Sequence, residues 1–209
     1  MRKILIKCAA ALLMIAGPAN AATPLVSNNE LVGATGVNIG GTLYNVSFVE
    51  GTCASVYGSC ASSNFDFTTQ ASALLAAQSL LDQVFLDIPG GQFDSLSELT
   101  YGCELMERRT NCAPLIPYST EVLSTPSGPF PVINVARAVN VNGVDDPGVF
   151  VTDAADFVDT STIPNAVWAR FTVSPVPEPA SWAMMILGFG VIGGALRSRR
   201  MRKPLAALT

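Results

Sequence analysis

Along this chain apolar and polar residues alternate in short stretches, and apolar residues run unbroken only near the two ends. Thr42–Glu50 alternates, with Tyr44, Val46 and Phe48 on one side and Leu43, Asn45 and Ser47 on the other. That period of two predicts a strand. Gly40-Gly41 predicts a turn ahead of it, so 36–50 reads as a hairpin and 22–41 as an irregular lead with one edge strand. In 132–141, Ile133, Val135, Val139 and Val141 share a face with Arg137, which predicts a second clear strand. Asn142-Gly143 then predicts a tight hairpin, with 144–152 as the returning partner, interrupted at Asp145-Asp146-Pro147-Gly148. In 165–173, Val167, Ala169, Phe171 and Val173 face one way and Trp168, Arg170 and Thr172 the other. Leu96–Glu107 reads as a strand broken at Gly102-Cys103. Pro114 and Pro117 make 112–123 an edge strand or loop, 126–131 a turn, and 153–162 a polar acidic connection.

One stretch has helical spacing instead. Ala71, Leu74, Leu75, Gln78, Leu81 and Phe85 form a stripe across 68–87. Thr68 or Thr69 supplies a cap, and Asp87 ahead of Ile88-Pro89-Gly90-Gly91 ends the helix. The expected fold is α+β, mainly antiparallel β with one packed helix over about 68–87. It is flanked by an N-terminal signal helix and a C-terminal transmembrane helix.

The unbroken apolar runs explain those flanks. Arg2, Lys3 and Lys7 precede an apolar core, Gly17-Pro18 breaks it, and Ala19-Asn20-Ala21 has the small-x-small form of a signal-peptide cleavage site, leaving Ala22 first. Cys8 leaves with that peptide. At the other end, Ala180–Leu196 carries no charge. As a helix it covers roughly 25 Å, slightly short of a ~30 Å hydrocarbon core, which suits a transient span. Arg197, Arg199, Arg200, Arg202 and Lys203 follow and belong on the cytoplasmic side. Pro177 and Pro179 stop the helix outside the membrane and keep that segment extended. The expected divisions are a signal peptide (1–21), a secreted disulfide-containing ectodomain (22–175), a sorting segment (176–203) and a short tail (204–209).

The triplet Pro177-Glu178-Pro179, then Trp182-Ala183-Met184-Met185, the glycine-rich apolar run and the arginines resemble the PEP-CTERM sorting signal in its PEPxxWA form. The resemblance implies recognition by an exosortase, a membrane-embedded cysteine transpeptidase-like enzyme that cuts near the triplet. It also implies an exopolysaccharide-producing bacterium and delivery to the cell surface or matrix. Pro177, Glu178, Pro179, Trp182, Ala183, Arg197, Arg199 and Arg200 carry it. Residues 36–103 resemble a recurring ectodomain among such sorted proteins, to which no function attaches.

Composition narrows what the ectodomain can do. With both ends removed, Arg108, Arg109, Arg137 and Arg170 stand against sixteen acids, a formal charge of −12 over 22–179. Such a surface disfavours nucleic acid and anionic lipid. The same segment has no histidine and no lysine. Catalysis by Ser-His-Asp, Cys-His or Ser-Lys groups, Schiff bases and histidine metal sites are therefore excluded there. Four cysteines in an oxidising compartment form disulfides, and closing the shorter loops favours Cys53–Cys60 and Cys103–Cys112 over the other connectivities. Asp145, Asp146, Asp153, Asp156 and Asp159 could hold Ca²⁺, but their spacing matches no EF-hand, and a solvated acidic loop is the plainer reading. No other cofactor is expected. Arg108-Arg109 beside Glu104 and Glu107 reads as a solvated turn before it reads as an anion site. The expected partners are signal peptidase, exosortase, the membrane and exopolysaccharide, with no nucleic acid. The expected function is a non-enzymatic, structural or adhesive surface protein. The alternative is a glycoside hydrolase using paired carboxylates.

Overall fold

The computed structural model describes residues 21–104, 111–143 and 148–175, together with 186, 188 and 189. One compact unit runs to Thr172, and the chain from Val173 onward is a second unit. In that second unit the described residues Ile186, Gly188 and Phe189 are helical and exposed. Among the described residues no helix is long and apolar enough to cross a membrane. The expected signal helix, and the expected transmembrane helix apart from those three residues, lie outside the described residues.

The first unit is α+β, mostly antiparallel. Three strands open it: β1 (Thr23–Ser27), β2 (Glu30–Ile39) and β3 (Thr42–Val49). Asn28 and Asn29, both at positive φ, make the first turn, and Gly40-Gly41 the second. The predicted 36–50 hairpin is therefore present and begins earlier, at Glu30. A β-bulge at Gly36, φ 72°, shifts the β2–β3 register between Ala34 and Val37. Val46 and Phe48 are buried as their alternation requires.

Next come a short helix α1 (Cys53–Tyr57) and the main helix α2 (Gln70–Gln83). Threonine starts both: Thr52 accepts from the Ser55 N–H at 3.2 Å, and Thr69 from the Ser72 N–H at 3.2 Å. The predicted helix over 68–87 is thus shorter than expected. Asp87–Ile88 (β4) instead pairs with Gly91–Gln92 (β5) around Pro89-Gly90. The Asp87 carboxylate fixes that turn by accepting from the Asp94 and Ser95 backbones, both at 3.1 Å, and from the Ser95 hydroxyl at 2.6 Å.

The predicted helix stripe is corrected in part: Leu81 and Phe85 are buried as expected, but the rest of the buried side differs. Ala73, Ala76, Ala77, Leu80, Val84 and Phe85 are buried, whereas Leu75 is 47% exposed. Alanines let the helix lie close to the sheet, which the larger leucines would hold off. The helix packs on β2 and on three later strands, β6 (Asn111–Thr125), β7 (Gly128–Val141) and β8 (Gly148–Ala155). The last strand is β9 (Ala166–Val173), and the sheet order is β1-β2-β3-β9-β6-β7-β8. Because β3 and β9 separate β2 from β6, the sheet must coil around α2 to touch it at both places. At β2 the Gln83 amide accepts from the Asn38 N–H and donates to the Asn38 carbonyl, both at 2.9 Å. It completes β2 past Thr35, the last residue that β1 reaches.

Several expectations about strands and turns change. Residues 96–104 form a 3-10 turn (Ser97–Leu99) and isolated bridges, not a broken strand. Residues 112–123 belong to β6, which is interior to the sheet between β9 and β7. Its prolines fit because the β6–β7 ladder is interrupted at Ala113-Pro114 and shifts register after Pro117. The 126–131 turn shrinks to Pro126-Ser127, and Asp153–Ala155 extends β8. The returning strand pairs from Val139–Gly148 onward, and residues 144–147, the first part of the expected partner, lie outside the described residues.

Period-two alternation in β9 sends its residues to two cores. Val167, Ala169 and Phe171 join α2, β2 and β3 on one face. Ala166 and Trp168 join Cys53, Val56, Tyr57, Phe65, Leu115, Ile133 and Val135 on the other. Cys53–Cys60 and Cys103–Cys112 stand at disulfide distance, with Cα atoms 5.6 Å apart in each pair. Loops this short are closed at an unfolded-chain cost of about 2.5 kcal/mol each.

Candidate functional site

The segment that carries the strongest signal begins where β9 ends. Val173 closes the strand, and only Ser174, Pro175 and Val176 separate it from Pro177. β9 is an interior strand, and every described strand of the sheet precedes the triplet. Pro177, Glu178, Pro179, Trp182, Ala183, Arg197, Arg199 and Arg200 lie outside the described residues. At the other end Ala19 also lies outside them, while Ala21 is exposed and Ala22 half-buried, one residue ahead of β1. A cut after Ala21 therefore leaves every described strand whole.

Within the domain, the structure gathers groups that sequence spacing does not. A cavity of about 390 Å³ is lined by Glu30, Glu50 and Glu104 with Tyr101, Ser161 and Thr162. Bridges from Leu31 to Thr100 and from Cys103 to Asn165 draw these distant stretches together. The lining is polar, and Glu30 and Glu104 are exposed. A second cavity of about 330 Å³ has an apolar floor of Leu115, Val135 and Ala166, with Arg137 and Asp153 in its lining.

The aspartates proposed for calcium are divided. Asp145 and Asp146 lie outside the described residues, as do Arg108 and Arg109. Asp153 is on β8, and Asp159 caps a 3-10 turn by accepting from the Ser161 N–H at 3.0 Å and its hydroxyl at 2.7 Å. Among the described residues no group of three His, Cys, Asp or Glu side chains is placed to hold a metal ion.

The most connected polar node lies around Tyr57 and Trp168. The Tyr57 hydroxyl donates to the Ala169 carbonyl at 3.0 Å, and the Trp168 indole to the Gly51 carbonyl at 2.9 Å. Their rings meet edge-to-face at 6.0 Å. The Arg170 guanidinium lies 5.6 Å from the Tyr57 ring centre and donates to the Val56 carbonyl. Gly51 adopts φ 131°, and a β-carbon there would stand 2.6 Å from the Ser55 hydroxyl. The pattern of β9 announced the two faces, but nothing in the sequence announced that α1 would sit on the second one.

Asp66 accepts from the Phe171 N–H at 2.8 Å. Burial raises its carboxyl above the usual carboxylate range, and the Phe171 hydrogen bond and the Arg170 charge offset this in part. Burial first, then the Asp66 charge, also pushes the Tyr57 phenol up. A raised folded-state value means that the folded protein binds more protons than the unfolded one in the window just above ~3.9. Stability therefore falls as pH rises through that window, and the penalty is complete at neutral pH. Asp66→Asn keeps an acceptor for Phe171 and removes the titration. Urea midpoints should show the variant with a flatter profile across mildly acid pH and the higher stability at neutral pH. Superimposable profiles would contradict this assignment.

Comparison with known proteins leaves the domain without a described relative. No curated protein matches the chain, and no solved structure matches it. The match that is found falls on the segment after β9, where a family model for the PEP-CTERM protein-sorting motif covers residues 175–200. The chain thus carries a PEP-CTERM protein-sorting motif, which marks it as an exported, exosortase-targeted protein directed to the cell surface.

Proposed function

We propose that the described domain is the cargo of that motif and acts as a structural or adhesive component of an exopolysaccharide matrix. In this reading signal peptidase removes 1–21, and Ala180–Leu196 spans the inner membrane as an intermediate with its arginines inside. The exosortase then cuts near Pro177–Pro179. The observation that carries the reading is that β9, interior among the described strands, ends three residues before the triplet. A cut there leaves every described strand whole. Two short disulfide loops and a charge of −12 suit a protein that must stay folded and dispersed outside the cell.

The cavity of Glu30, Glu50 and Glu104 favours a second reading, a carboxylate-dependent hydrolase of matrix polysaccharide. One assay separates the two. The released domain is incubated with exopolysaccharide from its own cells, then co-sedimentation and polysaccharide chain length are measured. Binding with unchanged chain length supports the structural role. Shortening that disappears in Glu30→Gln, Glu50→Gln or Glu104→Gln supports the hydrolase. Neither binding nor shortening would overturn both.

A further inference from the structure

The β6–β7 hairpin outruns the sheet to which it belongs. β8 reaches only as far as the Val132–Ala155 pair, while β6 and β7 stay paired to Thr125–Gly128. Beyond Glu121–Val132 they form a two-stranded ribbon that is exposed or half-exposed throughout. Val122 is 64% exposed and Leu123 and Phe130 37% each. Phe157, 69% exposed, meets Phe130 edge-on at 5.9 Å. Residues 122–136 carry no charge, in a domain otherwise dominated by acids. A bare two-stranded ribbon is marginal in water, so apolar groups at its tip call for a partner.

Its position indicates which partner. β6 runs parallel to β9, with Ala113 opposite Ala166. Extended along the strands, with one residue allowed for the β6 bulge between Pro117 and Ser119, that register brings Thr120 about level with Thr172, the last residue of the first unit. The ribbon therefore projects past the end from which the chain departs, by about 17 Å over roughly five residues. From Thr172 the chain can extend at most roughly 28 Å before Ala180, eight residues on. While Ala180–Leu196 remains in a bilayer, the domain is thus tethered within roughly 28 Å of the lipid, a gap that the projecting ribbon can close.

Pairing with a second copy along the β7 edge of the ribbon is disfavoured. Thr125 and Gly128 flank a two-residue turn and so form a hydrogen-bonded pair, which puts Pro129 and Pro131 at the non-bonded positions. There a backbone N–H would point outward, and proline supplies none.

We propose that the tip of the β6–β7 hairpin, through Val122, Leu123 and Phe130, inserts into the phospholipid interface of the membrane and orients the domain there until the tail is cut. Its neutrality spares it the repulsion that the rest of this acidic surface meets at anionic lipid. The proposal rests on the reading that the tail spans the bilayer.

The test uses the full chain in vesicles of phosphatidylethanolamine and phosphatidylglycerol. Benzoylphenylalanine is placed, one position at a time, at Leu123, Phe130, Phe150 and Trp182, and the irradiated protein is weighed. Phe150 is the control, because it is exposed and pairs with Arg137, toward the opposite end of β7. A mass gain of one phospholipid at 123 and 130 and none at 150 is expected, with a gain at 182 reporting the tail in lipid. A gain at 182 with none at 123 and 130 overturns the hairpin contact alone. A gain of one protein chain at 123 overturns it in favour of self-association. No gain at 182 overturns the spanning tail, and the hairpin proposal falls with it.

Discussion

Trp168→Ala is expected to cost the domain about 3–5 kcal/mol, the range for emptying a large aromatic site in a core. Trp168 is fully buried and stands opposite Leu115 in the parallel β6–β9 pairing. Its ring closes the second core by meeting Tyr57 edge-to-face, and its indole donates to Gly51 at 2.9 Å. Alanine would leave a void between β9 and α1 that the sheet cannot collapse to fill. The Gly51 carbonyl keeps the Thr160 N–H, at 3.0 Å, so most of the loss is packing and not an orphaned acceptor. For a domain of this size the melting temperature should drop by roughly 6–20 °C. Trp168→Phe retains a ring and should lose markedly less. Equal melting temperatures for the alanine variant and the parent would show that the second core does not hold the fold.

The second large effect is expected at the triplet. Pro177 and Pro179 fix their own φ angles, and each biases the residue before it toward an extended conformation. An extended segment is what a peptide-cleaving enzyme can bind along its backbone. Replacing both prolines by alanine removes the barrier to a helix propagating outward from Ala180. With Pro177→Ala and Pro179→Ala together, the uncut precursor should accumulate in the membrane fraction while the released form is lost, as immunoblots of the two fractions would show. Release at the parental level would mean that the prolines do not present the cut site.

The parts of this architecture legible in sequence are those set by local alternation. Val46 and Phe48, and Val167, Ala169 and Phe171 against Trp168, could be assigned to faces because a strand allows only two. The caps at Thr69 and the short cysteine loops are local as well. What failed depended on partners distant in sequence. The buried side of α2 is its alanine side, which hydrophobicity alone ranks below leucine. β6 is interior despite two prolines, because β9 returns from far along the chain to pair beside Pro114. The grouping of Glu30, Glu50 and Glu104 depends on bridges across the fold and leaves no spacing to read. The sorting motif was legible because it is a linear signal, read from residue order and not from a folded surface.

The most direct test is the intact mass of the protein recovered from the cell surface, with and without the exosortase. The account predicts a species that begins at Ala22 and ends near Pro177–Pro179 when the enzyme is present. Without the enzyme, a form that still reaches Thr209 should remain in the membrane. A form retaining 180–209 in both strains would contradict the account and leave a domain held by an ordinary membrane anchor.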